Sequence, residues 1–116
     1  MRDTTVARLI GATTAASGAT LVAAPRTMLR AVGAADPDPA PLLYRVVGMF
    51  MTVAGGLLVD GASEPLALRW SLAQKTGAVL GVGLGVVTGS YRPRALAVAA
   101  FDAASAVALA RMLARR

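Results

Sequence analysis

The chain has 116 residues, 56% hydrophobic and 16% charged, with a net charge of +6 and neither His nor Cys. Without imidazoles and thiols it has no disulfide, thiol nucleophile, histidine base or His-ligated haem and nearly no route to a zinc site, and its length bounds it to one domain. A mean hydropathy of +0.62 is high for an ordinary soluble domain.

Charged residues divide the chain into four apolar stretches: 17 residues between Arg8 and Arg26, 14 between Arg45 and Asp60, 16 between Lys75 and Arg92, and 16 between Arg94 and Arg111. A helix of that size rises about 24 Å against a hydrocarbon core of about 30 Å, a gap that flanking arginines close by snorkelling. The expected fold is all-α, a four-transmembrane-helix bundle with short interfacial segments and helices over about 4–24, 42–59, 73–90 and 94–114.

The first helix is expected to end before Pro25, which disfavours helix at the residue preceding it. A signal peptide is the competing reading of this stretch. Thr13, Thr14, Ser17 and Thr20 stand where a leucine-rich core would be needed, which argues for a retained helix. Pro25 starts a short interfacial segment in which Arg26 and Arg30 lie four apart beside Met28, Leu29 and Val32. Asp36-Pro37-Asp38-Pro39-Ala40-Pro41 reads as an exposed turn before the second helix. Asp60-Gly61-Ala62-Ser63-Glu64-Pro65 is a second polar turn, followed by an interfacial segment, Leu66 to Leu72, centred on Arg69 and the anchor Trp70. Tyr91-Arg92-Pro93 turns the chain into the fourth helix.

Counting Lys and Arg by side places Arg2, Arg8, Arg69, Lys75, Arg111, Arg115 and Arg116 opposite Arg26, Arg30, Arg45, Arg92 and Arg94. That bias of seven against five favours both termini in the cytoplasm of a multi-pass protein of the bacterial inner membrane, and a dual-topology protein is the other account of so small a difference. The basic residues stand at the ends of apolar stretches and form no patch interleaved with aromatics, so lipid headgroups rather than nucleic acid are the expected counter-charge.

Arg8, Gly11 and Gly18 recur as Arg45, Gly48 and Gly55, each 37 residues on. Seven residues are nearly two helical turns, so the glycines of each helix share one face and let another helix approach closely. Chance self-similarity of a glycine-rich chain is the other account of the repeat. Gly77, Gly81, Gly85 and Gly89 follow at strict four-residue spacing in the third helix.

Asp102 stands near the middle of the fourth stretch, where an isolated carboxylate costs roughly 3 kcal/mol on insertion scales. Two readings remain open: a proton- or ligand-binding group with Ser105, Thr13, Ser17 and Thr20 as neighbours, or a structural ion pair with Arg8, Arg45 or Lys75. No catalytic residue, metal set or cofactor motif is found: the glycines lie within an apolar helix rather than in a phosphate-binding loop, and Asp36 and Asp38 fall in a turn.

The order Arg8-Leu9-Ile10-Gly11, Pro25, Gly33, Arg45-Val46-Val47-Gly48 and Gly55-Gly56 resembles small bacterial membrane proteins of actinobacterial type, broadly similar to DoxX-like four-helix proteins. The resemblance implies a four-helix bundle and transfers no catalytic residue. Small multidrug transporters have similar size but typically carry an acid in the first span, which this chain lacks. The leading expectation is a structural or accessory component in the lipid bilayer that packs through its glycines as a homo-oligomer or on a larger membrane partner. A small transporter or binder of a lipophilic small molecule using Asp102 is the second, and a membrane enzyme on a lipophilic substrate the third.

Overall fold

Prolines and glycines set most of the helix boundaries. In a computed structural model, which describes residues 2–33 and 41–116 but not the side chains of 41–45, α1 (Asp3–Ala23) opens with a carboxylate in its first turn, facing the positive end of the helix. It stops at Ala24, and Pro25 begins α2 (Pro25–Val32) from the position where a missing N–H costs nothing. Gly33 ends α2 in the left-handed region, at φ 95°. The Asp36–Pro41 turn expected from the sequence falls almost wholly within residues 34–40, outside the described residues. Next comes α3 (Pro41–Asp60), whose exit is closed by Gly61 N–H donating to the Leu57 carbonyl at 2.8 Å.

Pro65 starts α4 (Pro65–Val87) in the same way as Pro25 starts α2. Its end uses two of the four spaced glycines. Gly89 takes the left-handed conformation at φ 84°, and the chain folds back so that Tyr91 N–H donates to the Gly85 carbonyl at 3.0 Å with its ring lying against Gly85. A single 3₁₀ turn, Pro93–Ala95, leads into α5 (Leu96–Ala114).

The helices pack as two pairs, α1 against α3 and α4 against α5, with few contacts between the pairs. The α1–α3 seam explains the repeat. A Cβ added at Gly18 would lie 2.5 Å from the Gly48 carbonyl oxygen, and one at Gly11 2.7 Å from that of Gly55. The first glycine of each repeat therefore faces the second glycine of the other, as a two-fold exchange of the helices requires. All four pairwise long helices meet at one end, where Ala7, Ile10, Leu58, Leu68, Leu109 and Met112 form the main core. A smaller cluster of Leu21 and Leu29, with Met28, Met51 and Tyr91 against it, closes the other end. The resulting body measures 42 × 27 × 20 Å.

The all-α class stands, but the four-transmembrane bundle does not. Among the described residues only two helices, α1 and the segment Pro93–Ala114, are long and apolar enough to cross a membrane. Of α3, the described residues contribute the shorter apolar stretch Val46–Asp60. The expected third span fails for a different reason: Leu66–Leu72 is no separate interfacial segment but the first turns of α4, which brings Arg69, Ser71, Gln74, Lys75 and Thr76 into one helix. The multi-pass inner-membrane placement, and the topology that set both termini in the cytoplasm, required four spans and are corrected with the fold. The two ends of the chain do meet, through an Arg115–Asp3 pair at 2.7 Å.

Candidate functional site

The site grows from three residues that sit mid-helix on three different helices. Lys75 lies halfway along α4, Asp102 on the second turn of α5 and Thr14 at the centre of α1, and all three are buried. The Lys75 Nζ donates to Asp102 Oδ1 at 3.0 Å and to Thr14 Oγ1 at 2.7 Å, while Thr14 in turn donates to the Ile10 carbonyl at 2.9 Å. The ammonium also lies 5.1 Å from the centroid of the Phe101 ring, a cation–π contact. Burying either charge alone costs several kcal/mol, so in this otherwise apolar layer each partner offsets the desolvation of the other.

Beyond this layer a half-open cavity of about 940 Å³ lies between the two helix pairs. Leu21, Met51, Val82, Val98 and Phe101 are among its walls, Met28, Leu29 and Tyr91 close its far end, and Phe50, Val53 and Leu57 of α3 stand at its exposed side. Polar groups are concentrated at the floor: Lys75 and Asp102 with Thr13, Thr14, Ser17 and Gln74. Leu21 lies eight residues beyond Thr13 on α1, so the cavity runs about 12 Å along the helix axis from this floor. A volume of this size, largely apolar with a few convergent polar groups, is the usual form of a small-molecule site.

The residues singled out in the sequence are thus scattered over several roles. Asp102, Thr13 and Ser17 face the cavity. Thr13 donates to its own helix at the Leu9 carbonyl, as does the exposed Thr20 at Ala16, which lies away from the cavity. Ser105 is buried three residues beyond Asp102 but is no hydrogen-bond partner of the pair. Of the three cations considered for Asp102, Lys75 is the one in contact; Arg8 is exposed, and the Arg45 side chain lies outside the described residues. Gly11, Gly18, Gly48 and Gly55 line the α1–α3 seam, Gly85 lies under Tyr91, and nothing approaches Gly77, Gly81 or Gly89 within 4 Å.

Thr14 and Gln74 were not singled out in the sequence. Thr14 could have been found from the glycines, because Ala7, Gly11, Thr14, Gly18 and Leu21 follow the three- and four-residue spacing of one buried helix face. Gln74 carried no such signal. No family model, curated protein or solved structure matches the chain.

Proposed function

We propose that this protein binds a lipophilic small molecule in the cavity between its two helix pairs, with the apolar body of the ligand along Met51, Val82 and Val98 and its polar end at Lys75, Asp102 and Thr14. The observation that carries this reading is the placement of a buried, charged cluster on the floor of a cavity of about 940 Å³ whose walls are otherwise apolar. A cluster needed only to hold helices together would be surrounded by packed side chains; this one opens on a space of ligand size.

The accessory role expected from the glycine faces has less behind it. Of the eight glycines expected to pack, four are taken up between α1 and α3, Gly85 by Tyr91 and Gly89 by the turn after α4, which leaves Gly77 and Gly81 open.

The test uses the neutral lipophilic dye Nile red. Saturable fluorescence enhancement is expected with the native protein. It should fall at least roughly tenfold in affinity in Ala54→Phe and Ala78→Phe, which add a ring to the cavity wall and keep Lys75 and Asp102 in place. Non-saturable enhancement, or equal binding by both filled variants, would show that the dye sits elsewhere and the cavity is not a ligand site.

A further inference from the structure

We infer that the ligand of this cavity is an uncharged lipophile with a hydroxyl head, and that the Lys75–Asp102 pair selects it against both carboxylates and amines. The inference rests on the binding role proposed above and names the class of molecule bound. Three observations carry it.

The first is charge. Lys75 and Asp102 form a one-to-one pair in a layer where both side chains are nearly sealed, 4% and 9% exposed. The floor of the cavity is therefore neutral as a unit. A carboxylate head entering it would leave one net negative charge at the buried floor, and an ammonium head one net positive charge, each penalised by desolvation without a counter-ion.

The second is the hydrogen-bonding capacity left over. An ammonium has three N–H donors, of which the protein uses two, for Asp102 Oδ1 and Thr14 Oγ1. Asp102 uses only Oδ1; its Oδ2 has no hydrogen-bond partner among the described residues. The floor thus offers one donor and one strong acceptor side by side. A hydroxyl is the smallest neutral group that satisfies both, its oxygen accepting from Lys75 while its proton goes to Asp102 Oδ2. A ketone or ether oxygen satisfies only the donor.

The third is shape. Thr14 already donates its proton to the Ile10 carbonyl and so presents only a lone pair to Lys75. From the floor the cavity extends between apolar walls, so one polar head followed by an unbranched or gently branched hydrocarbon body fits it, and a second polar group further along does not.

The experiment is displacement of Nile red by 1-decanol, decanoate, decylammonium and the methyl ether of decanol. The native protein is expected to bind decanol more tightly than each of the other three by at least roughly tenfold, about one charge-assisted hydrogen bond. Asp102→Asn leaves the Lys75 charge unbalanced and should turn the preference to decanoate; Lys75→Met leaves the Asp102 charge unbalanced and should turn it to decylammonium. Should either variant fail to fold, the ranking by the native protein decides alone. Decanoate or the ether binding the native protein as well as decanol would overturn the hydroxyl assignment while leaving a lipophile site in place. Failure of all four to displace Nile red that itself binds saturably would overturn it too, whereas no saturable Nile red binding would remove the cavity reading beneath it.

Discussion

Cutting the Lys75–Asp102 pair one partner at a time, and then both together, should produce stability changes of opposite character. In Lys75→Met the aliphatic stem is kept over Phe101 while the ammonium is lost, so Asp102, 6% exposed, is left as an unpaired charge inside the helix bundle. Removing one member of a sealed pair costs about 3–5 kcal/mol, a large part of the roughly 5–15 kcal/mol by which a domain is stable. Asp102→Leu strands the Lys75 ammonium with Thr14 as its one remaining hydrogen-bond partner and should cost a similar amount. The double variant Lys75→Met/Asp102→Leu removes both charges and their desolvation, and should fall between neutral and about 4 kcal/mol more stable than the native protein. The coupling would appear as the failure of the single-variant costs to add. Urea unfolding followed by far-ultraviolet circular dichroism measures all four proteins. The exposed Asp3–Arg115 pair serves as the contrast: its side chains are 47% and 57% exposed, and Asp3→Ala should cost no more than about 1 kcal/mol. Additive losses in the double variant, or single losses below about 1 kcal/mol, would refute the claim that burial makes the pair interdependent.

The glycines should respond oppositely according to what stands beside them. Gly55→Ala puts a methyl 2.5 Å from the Ala15 backbone nitrogen and must push α1 from α3, a loss of about 1–3 kcal/mol by overpacking, whereas Gly77→Ala meets nothing within 4 Å and should gain up to about 1 kcal/mol in helix propensity; thermal unfolding distinguishes them. Leu109 is fully buried in the cluster where all the long helices meet, so Leu109→Ala should cost about 2–5 kcal/mol in the same urea titration. Gly33→Ala forces an alanine into φ 95° and brings its Cβ within 3.1 Å of the Ala95 backbone nitrogen, and should cost at least about 1 kcal/mol by loss of the α2 end, measured as faster amide exchange at Arg92, whose N–H bonds the Gly33 carbonyl.

The sequence held the members of the site but not their arrangement. Asp102 was visible because a carboxylate deep in an apolar stretch is costly wherever it lies, and Lys75 because it bounded such a stretch. Treating Lys75 as a boundary placed it at the start of a helix. In the structure Pro65 begins that helix ten residues earlier, and no helix-breaking residue from Leu66 to Leu72 interrupts it, so Lys75 is mid-helix and level with Asp102. The same habit of letting charges delimit helices created four spans where, among the described residues, two helices are of sufficient length and apolarity. Gly85 and Gly89 looked like continuations of an open face because spacing alone cannot tell a packing glycine from one that ends a helix; Gly89 is where the backbone turns left-handed and Gly85 is where Tyr91 returns. The repeat of Arg8, Gly11 and Gly18 fixed which faces are bare, and the antiparallel pairing of α1 with α3 supplies what it left open, the match of each first glycine with the other helix's second.

Stability and binding make opposite demands on the layer formed by Lys75, Asp102 and Thr14. On its inner side the helices close on Leu58, Leu68 and Leu109, and apolar residues in place of the pair would continue that packing at no desolvation cost. On its outer side lies the cavity, and there two apolar residues would take away the charged pair on the floor. The double variant therefore separates the two demands: more stable than the native protein, it should still take up Nile red yet lose the distinction between decanol and its methyl ether. A charged pair retained only to hold the bundle together would have been better replaced; one that faces a ligand has a reason to stay.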